Sequence, residues 1–273
     1  MDRPPQPFLV RHEFAIRRLH SLSGLVPIGA YMVVHLVTNA GILNGAGTYQ
    51  KSVYLIHSLG RLLPVVEWTF IFIPIIFHTV VGLAIIAGMV PDTRNYPYFA
   101  NRRYVWQRWT GLIAMAFIAY HVFHMHGWFH FEAWAEHVSG PYGGAKFRPY
   151  NAASTAGLAL QNPWILAFYV VGVLACVYHL ANGLWTMGIT WGIWTSEAAM
   201  RRALWVCGAF GLLLAAVGMG SLYGMWQVGR NEALQQAIEI EDRMYQHRID
   251  SGELQPSDHK RSQPETNAGN PAE

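Results

Sequence analysis

Residues 163–190 read PWILAFYVVGVLACVYHLANGLWTMGIT, with no Asp, Glu, Lys or Arg and a single histidine, His179. About 20 apolar residues are enough for a helix to cross the hydrocarbon core of a bilayer, so this stretch reads as a membrane span with one ionisable ring inside it. Four more stretches share its character: residues 22–43, 64–90, 109–131 and 203–228. None contains Lys, Arg or Asp, and Glu67 is their only carboxylate. Over all 273 residues the chain is 52% hydrophobic and 13% charged, about half the charge usual for a soluble domain. The sequence predicts an all-α integral membrane bundle of five transmembrane helices over residues 21–228. A segment of residues 1–20 precedes it, and a polar tail of residues 229–273, partly disordered by composition, follows it.

Loop charge orients the bundle. The N-terminal segment and the second and fourth loops together hold ten Lys and Arg, whereas the first and third loops hold four. The N-terminus is therefore expected in the cytoplasm and the tail on the outer side. Residues 1–20 lack the short apolar core and cleavage site of a secretory signal. Residues 228–273 carry five Lys/Arg against nine Asp/Glu, so the net charge of +3 hides a basic membrane domain and an acidic tail. Topology accounts for the basic surplus, and no nucleic-acid binding is read from it. Cys176 and Cys207 stand singly within spans, which argues against a disulfide framework, and the absence of C-x-x-C-H argues against covalently attached haem.

One histidine lies deep in each of the first four spans: His35, His78, His121 and His179. A lone buried histidine is ordinarily a hydrogen-bonded packing residue, but ionisable groups in hydrocarbon are costly and rare. Four singletons on four consecutive spans point to ligands of a group held inside the bundle. Zinc or copper would call for thiolates, carboxylates or a tight sequence cluster, all absent. Haem takes one axial imidazole from each side of a flat ring, which suits single ligands on opposing helices. With the helices ordered around the bundle, span one faces three and span two faces four. His35 then pairs with His121, and His78 with His179. Gly82 and Gly183 each follow a ligand by four residues on one helix face and are read as clearance beside it. Two axial histidines leave no open position on iron, so the remaining chemistry is one-electron transfer.

Other residues carry weaker signals. His20, with Arg17, Arg18 and Ser21 at the inner edge of span one, suits haem propionates or a quinone carbonyl as well as it suits a positive-inside anchor. Arg108, beside Gln107 and Thr110, poses the same choice. Glu67 suits proton exchange with a quinone, or simply an acid at a helix N-terminus. His124, His126 and His130 read as interfacial. Pro27 and Pro74 are expected to kink their helices.

The stretches RRLHSLSGLVPIGAYMVVHLVTN, IFIPIIFHTVVG, QRWTGLIAMAFIAYHVFH and AFYVVGVLACVYHLANGLW together resemble the five-helix, di-haem cytochrome b membrane-anchor subunit of bacterial succinate dehydrogenases and fumarate reductases, the succinate:quinone oxidoreductase family. The resemblance covers about residues 11–227. It implies two b haems, with His35 and His121 ligating the distal one and His78 and His179 the proximal one. It implies that Glu67 lies near an outer-side quinone site and that His20 and Ser21 lie near the proximal propionates. It further implies a bacterial cytoplasmic membrane, menaquinone or another quinone as substrate, and two cytoplasmic-face partners: a flavoprotein with covalent FAD and an iron–sulfur subunit. The direction of succinate chemistry and any higher oligomer of the complex stay open. Two alternatives remain at this level. One is a di-haem cytochrome b subunit of a hydrogenase or formate dehydrogenase, and the other is a haem-free membrane protein whose histidines relay protons.

Overall fold

The structure is a computed structural model that describes residues 11–88, 92–257 and 259–261. The described residues form helices and no strand. Helix α1 (Glu13–Asn44) is followed by α2 (Ala46–His57), α3 (Gly60–Ala87) and α4 (Phe99–His121). Next come α5 (Ala152–Ala159), α6 (Pro163–Thr190), α7 (Glu197–Val228) and α8 (Asn231–Asp250).

Helices α1, α3, α6 and α7 are long and apolar enough to cross a membrane. Their outward faces carry large apolar side chains: on α3 alone, Phe70, Ile73, Ile76 and Val80 are all exposed. A surface of that kind is unstable against water and stable against lipid tails. The expected third span differs from these four. α4 begins with a polar stretch containing Asn101, Arg102, Arg103, Gln107 and Arg108 and continues beyond His121 only as a single π turn, Val122–His126. Gly127, at φ 85°, then ends the helix in the left-handed conformation, which glycine adopts without penalty. The helix therefore stops short of residue 131, the end expected from hydropathy.

Both prolines fall at π turns. Pro27 lies within Gly24–Gly29, and Pro74 follows Trp68–Phe72. A wider turn accommodates the hydrogen bond that proline cannot donate, so each helix continues through its proline.

The chain forms two compact units. The first comprises Met1–Val37, Arg61–Phe117 and Val171–Gly218, and the second Thr38–Gly60, Ile118–Val170 and Met219–Glu273. In the first unit, small residues let helices approach closely: Gly29 lies against Leu180, and Gly218 against Val173 and Leu36. This is the usual packing of helices in lipid, where no hydrophobic force draws them together.

In the second unit, α2, α5 and α8 pack around two buried polar side chains, Gln50 and Glu241. Gln50 donates to Pro149 O at 2.7 Å and accepts from Ala152 N–H at 2.9 Å. Glu241 accepts from the Ala153 and Ser154 N–H groups at 2.6 and 3.1 Å and from Ser154 Oγ at 2.5 Å. A carboxylate thus satisfies the open N–H groups at the start of α5. Tyr54, Tyr150 and Tyr245 pack in the same unit as tilted rings with centres 5.6 and 5.7 Å apart. The polar sequence after the last span is therefore a docked helix through Asp250, and residues 262–273 lie outside the described residues.

Candidate functional site

Three histidines meet in the first unit. The His78 and His179 rings have centres 6.2 Å apart with planes at 90°, and the His20 ring lies parallel to His78 at 4.0 Å. His78 and His179 are held in matching ways. His78 Nδ1 lies 3.0 Å from the carbonyl oxygen of His20 on α1, and His179 Nδ1 lies 3.0 Å from the carbonyl oxygen of Gln107 on α4. A carbonyl only accepts, so each Nδ1 carries the proton and each Nε2 keeps its lone pair for a metal. A hydrogen bond of this kind is the usual support of a metal-binding imidazole.

The local sequence explains the match. Residues 20–24 are HSLSG and residues 107–111 are QRWTG, so each carbonyl is followed by a hydroxyl three residues later and a glycine four residues later. Ser23 Oγ and Thr110 Oγ turn back to their own helix carbonyls. The glycines leave room for the incoming rings. A methyl group on Gly24 would fall 2.9 Å from His78 Nδ1, and one on Gly111 would fall 2.9 Å from His179 Cε1. Both values are closer than real contacts allow. Gly82 and Gly183, read from sequence as this clearance, instead face His20 Nε2 and the Gln107 side chain. The imidazole reaches across to the neighbouring helix, so the space it needs lies there and not on its own helix.

A side-chain network supports the His179 half. Arg103 donates to Asn182 Oδ1 from both Nε, at 2.9 Å, and Nη2. Asn182 Nδ2 donates to Gln107 Oε1 at 2.6 Å, and Gln107 Nε2 donates to the His179 carbonyl at 3.1 Å. Neither Arg103 nor Asn182 was singled out from sequence.

The pair fits a haem. Two imidazoles binding one metal from opposite faces at about 2 Å each have ring centres on the order of 6 Å apart, as His78 and His179 do. Two further atoms fit the acidic edge of that group. His20 Nε2 and Arg108 Nε are buried and have no hydrogen-bond partner among the described residues, a costly condition that a carboxylate would relieve. Both residues lie within electrostatic range of Arg17, which itself pairs with Glu13 at 2.8 Å. Arg108 also donates to Tyr104 O at 2.7 Å. Ser21 Oγ donates to Arg18 O and accepts from Trp191 Nε1, so that hydroxyl is already engaged.

No family model matches the chain. A curated relative, the succinate dehydrogenase cytochrome b558 subunit of Bacillus subtilis (strain 168), is 32% identical over 211 residues, covering 77% of this chain and 96% of the relative. The chain belongs to the succinate dehydrogenase cytochrome b subunit family. With four membrane-length apolar helices among the described residues, this cytochrome b family member is a multi-pass membrane protein.

The other two histidines read from the spans have different surroundings. His35, in the first unit, has its ring centre 5.5 Å from that of Tyr31, and Tyr31 is within electrostatic range of Glu67. His121, in the second unit, points its Nδ1 at the Tyr169 hydroxyl, 3.3 Å away. The same hydroxyl is 2.8 Å from His124 Nδ1. Sequence reasoning set His124 aside as interfacial, yet it is only 2% exposed. Its three-residue offset from His121 on one helix face was the signal available. Cys176 and Cys207 are free thiols.

Proposed function

We propose that this chain is the membrane-anchor subunit of a succinate:quinone oxidoreductase and relays electrons from an iron–sulfur partner to a quinone. In this reading it crosses a bacterial cytoplasmic membrane five times, N-terminus inside, and holds two b-type haems between paired histidines. The observation that carries the reading is the His78–His179 pair, two facing imidazoles each fixed through Nδ1 by a backbone carbonyl of another helix. The name of the Bacillus relative, a cytochrome b subunit of succinate dehydrogenase, supports both the cofactor and the partners. Those partners are a flavoprotein carrying FAD and an iron–sulfur protein on the cytoplasmic face.

A haem bound in this way supplies reversible one-electron chemistry. The His20 and Gln107 carbonyls keep the ligand protons on Nδ1. His78 and His179 would hold the haem iron and leave it no open position for substrate or oxygen, and the apolar spans exclude water. His20 and Arg108, with Arg17, would hold the propionates. His35 and His121 form the second pair in this reading, on the grounds of span order. Glu67, within electrostatic range of Tyr31, would exchange protons with menaquinone or another quinone.

The test is the intact purified complex. Wild type should contain two haems, and His35→Ala, His78→Ala, His121→Ala or His179→Ala should each remove one and change the reduced-minus-oxidised spectrum. A wild-type complex without haem would end the proposal. So would four single variants that all keep full pigment.

A further inference from the structure

In the second unit, one buried hydroxyl is shared by two imidazoles. Tyr169 Oη is 3.3 Å from His121 Nδ1 and 2.8 Å from His124 Nδ1, and Tyr169 and His124 are 3% and 2% exposed. The Tyr169–His124 contact is therefore shielded from water. A phenol has one proton to give and can accept one in return, so it cannot donate to both rings. If His121 binds metal through Nε2, its Nδ1 carries a proton and can donate it to the phenol oxygen 3.3 Å away. The phenol proton then passes its hydrogen bond to His124 Nδ1, the shorter of the two contacts. The Tyr120 ring, stacked on His124 at 5.3 Å and 15°, and the Lys146 N–H, which donates to the His124 carbonyl at 2.9 Å, hold His124 in place.

We propose that Tyr169 is the positioning residue of His121, and that the directed chain His121 Nδ1–H to Tyr169 O–H to His124 Nδ1 fixes the His121 tautomer and lowers the potential of the metal it binds. This rests on the reading of His121 as a haem ligand. An acceptor on Nδ1–H gives the imidazole more anionic character, which favours the oxidised metal. Hydrogen bonds in series strengthen one another, so His124 acts at one remove: by drawing on the phenol proton it makes the phenol oxygen a better acceptor. His78 Nδ1 and His179 Nδ1 each lie 3.0 Å from a backbone carbonyl, an acceptor that no side-chain substitution removes. His121 Nδ1 lies 3.3 Å from a side-chain oxygen, an acceptor that a single substitution removes.

The experiment is a redox titration with electron paramagnetic resonance of the purified complex in wild type, Tyr169→Phe, His124→Leu and His124→Asn. Tyr169→Phe keeps the ring and removes the hydroxyl. It should raise one of the two haem potentials and shift the low-spin signal of that haem, leaving the other haem unchanged. His124→Leu should raise the same potential by less. His124→Asn, whose side-chain oxygen can replace the Nδ1 acceptor, should restore it toward wild type. Both potentials and both signals unchanged in Tyr169→Phe would overturn the inference, as would equal shifts at the two haems. If Tyr169→Phe fails to assemble, identical behaviour of His124→Leu and His124→Asn overturns it. His121→Ala separates the two layers of argument. Retention of both haems in that variant removes the ligand reading itself, whereas loss of one haem with Tyr169→Phe silent removes only the role of Tyr169.

Discussion

At the scale of single residues, the His78–His179 pair depends on atoms that side-chain chemistry does not advertise: two backbone carbonyls and two missing Cβ atoms. Gly24→Val would drive a branched side chain into the His78 ring, and under the proposed two-haem reading the complex is expected to lose one haem, read by quantifying haem per protein. Gln107→Ala is expected to keep both haems, because the carbonyl that holds His179 belongs to the backbone. That variant should cost the side-chain bonds to Asn182 and the His179 carbonyl and the Gln107 Nε2 contact with the His179 ring at 3.3 Å, seen as a modest shift in one haem spectrum. Glu67→Gln tests the proposed proton exchange while leaving His78 and His179 in place. It is expected to depress quinone reduction while leaving both haems bound, and unchanged quinone turnover would reject its role.

At the scale of elements, the α2–α5–α8 assembly of the second unit is held by buried polar groups, which makes it sensitive to small changes. Burial raises the Glu241 carboxyl above its ordinary range, against the pull of the hydrogen bonds from Ser154 and Ala153. Glu241→Ala leaves those donors buried and unmet, at a cost of about 3 kcal/mol. Hydrogen exchange should show residues 152–155 and α8 opening together. His57, at the end of α2, is lowered from 6.5 to about 4 by burial and by the nearby Lys260. Its folded form is neutral, so between about pH 6.5 and 4 the unfolded chain holds the extra proton and stability is lost as pH falls through that window. Exchange protection of α2 should therefore drop from pH 7 to pH 5, and His57→Leu should flatten the drop.

At the scale of the whole molecule, the open question in topology is α4. Together with its π turn it runs for 28 residues, about 42 Å at 1.5 Å per residue, long enough to cross a bilayer despite its polar start. If it crosses, the termini lie on opposite sides; if it does not, they lie on the same side. Single cysteines placed at residue 5 and residue 265, in a variant lacking Cys176 and Cys207, are expected to react with a membrane-impermeant reagent from opposite faces of oriented vesicles. Labelling of both from one face would remove the fifth span.

Much of this architecture was legible in the chain because its strongest determinant is local. Uninterrupted apolar runs such as residues 163–190 have no stable state other than a helix in lipid, and a histidine inside such a run carries its own cost wherever the run ends up. Sequence therefore determined the all-helical class, four apolar spans of membrane length and the four ring-bearing positions worth suspecting. The environment of each ring was a tertiary decision. Which glycine clears which imidazole, which carbonyl takes its proton, and that Tyr169 serves two histidines all depend on the facing of helices distant in sequence. Spacing along one helix could not reveal them, since it reports only neighbours on the same helix. The repeated HSLSG and QRWTG segments acquire meaning only once the packed helices bring a histidine ring onto each of them.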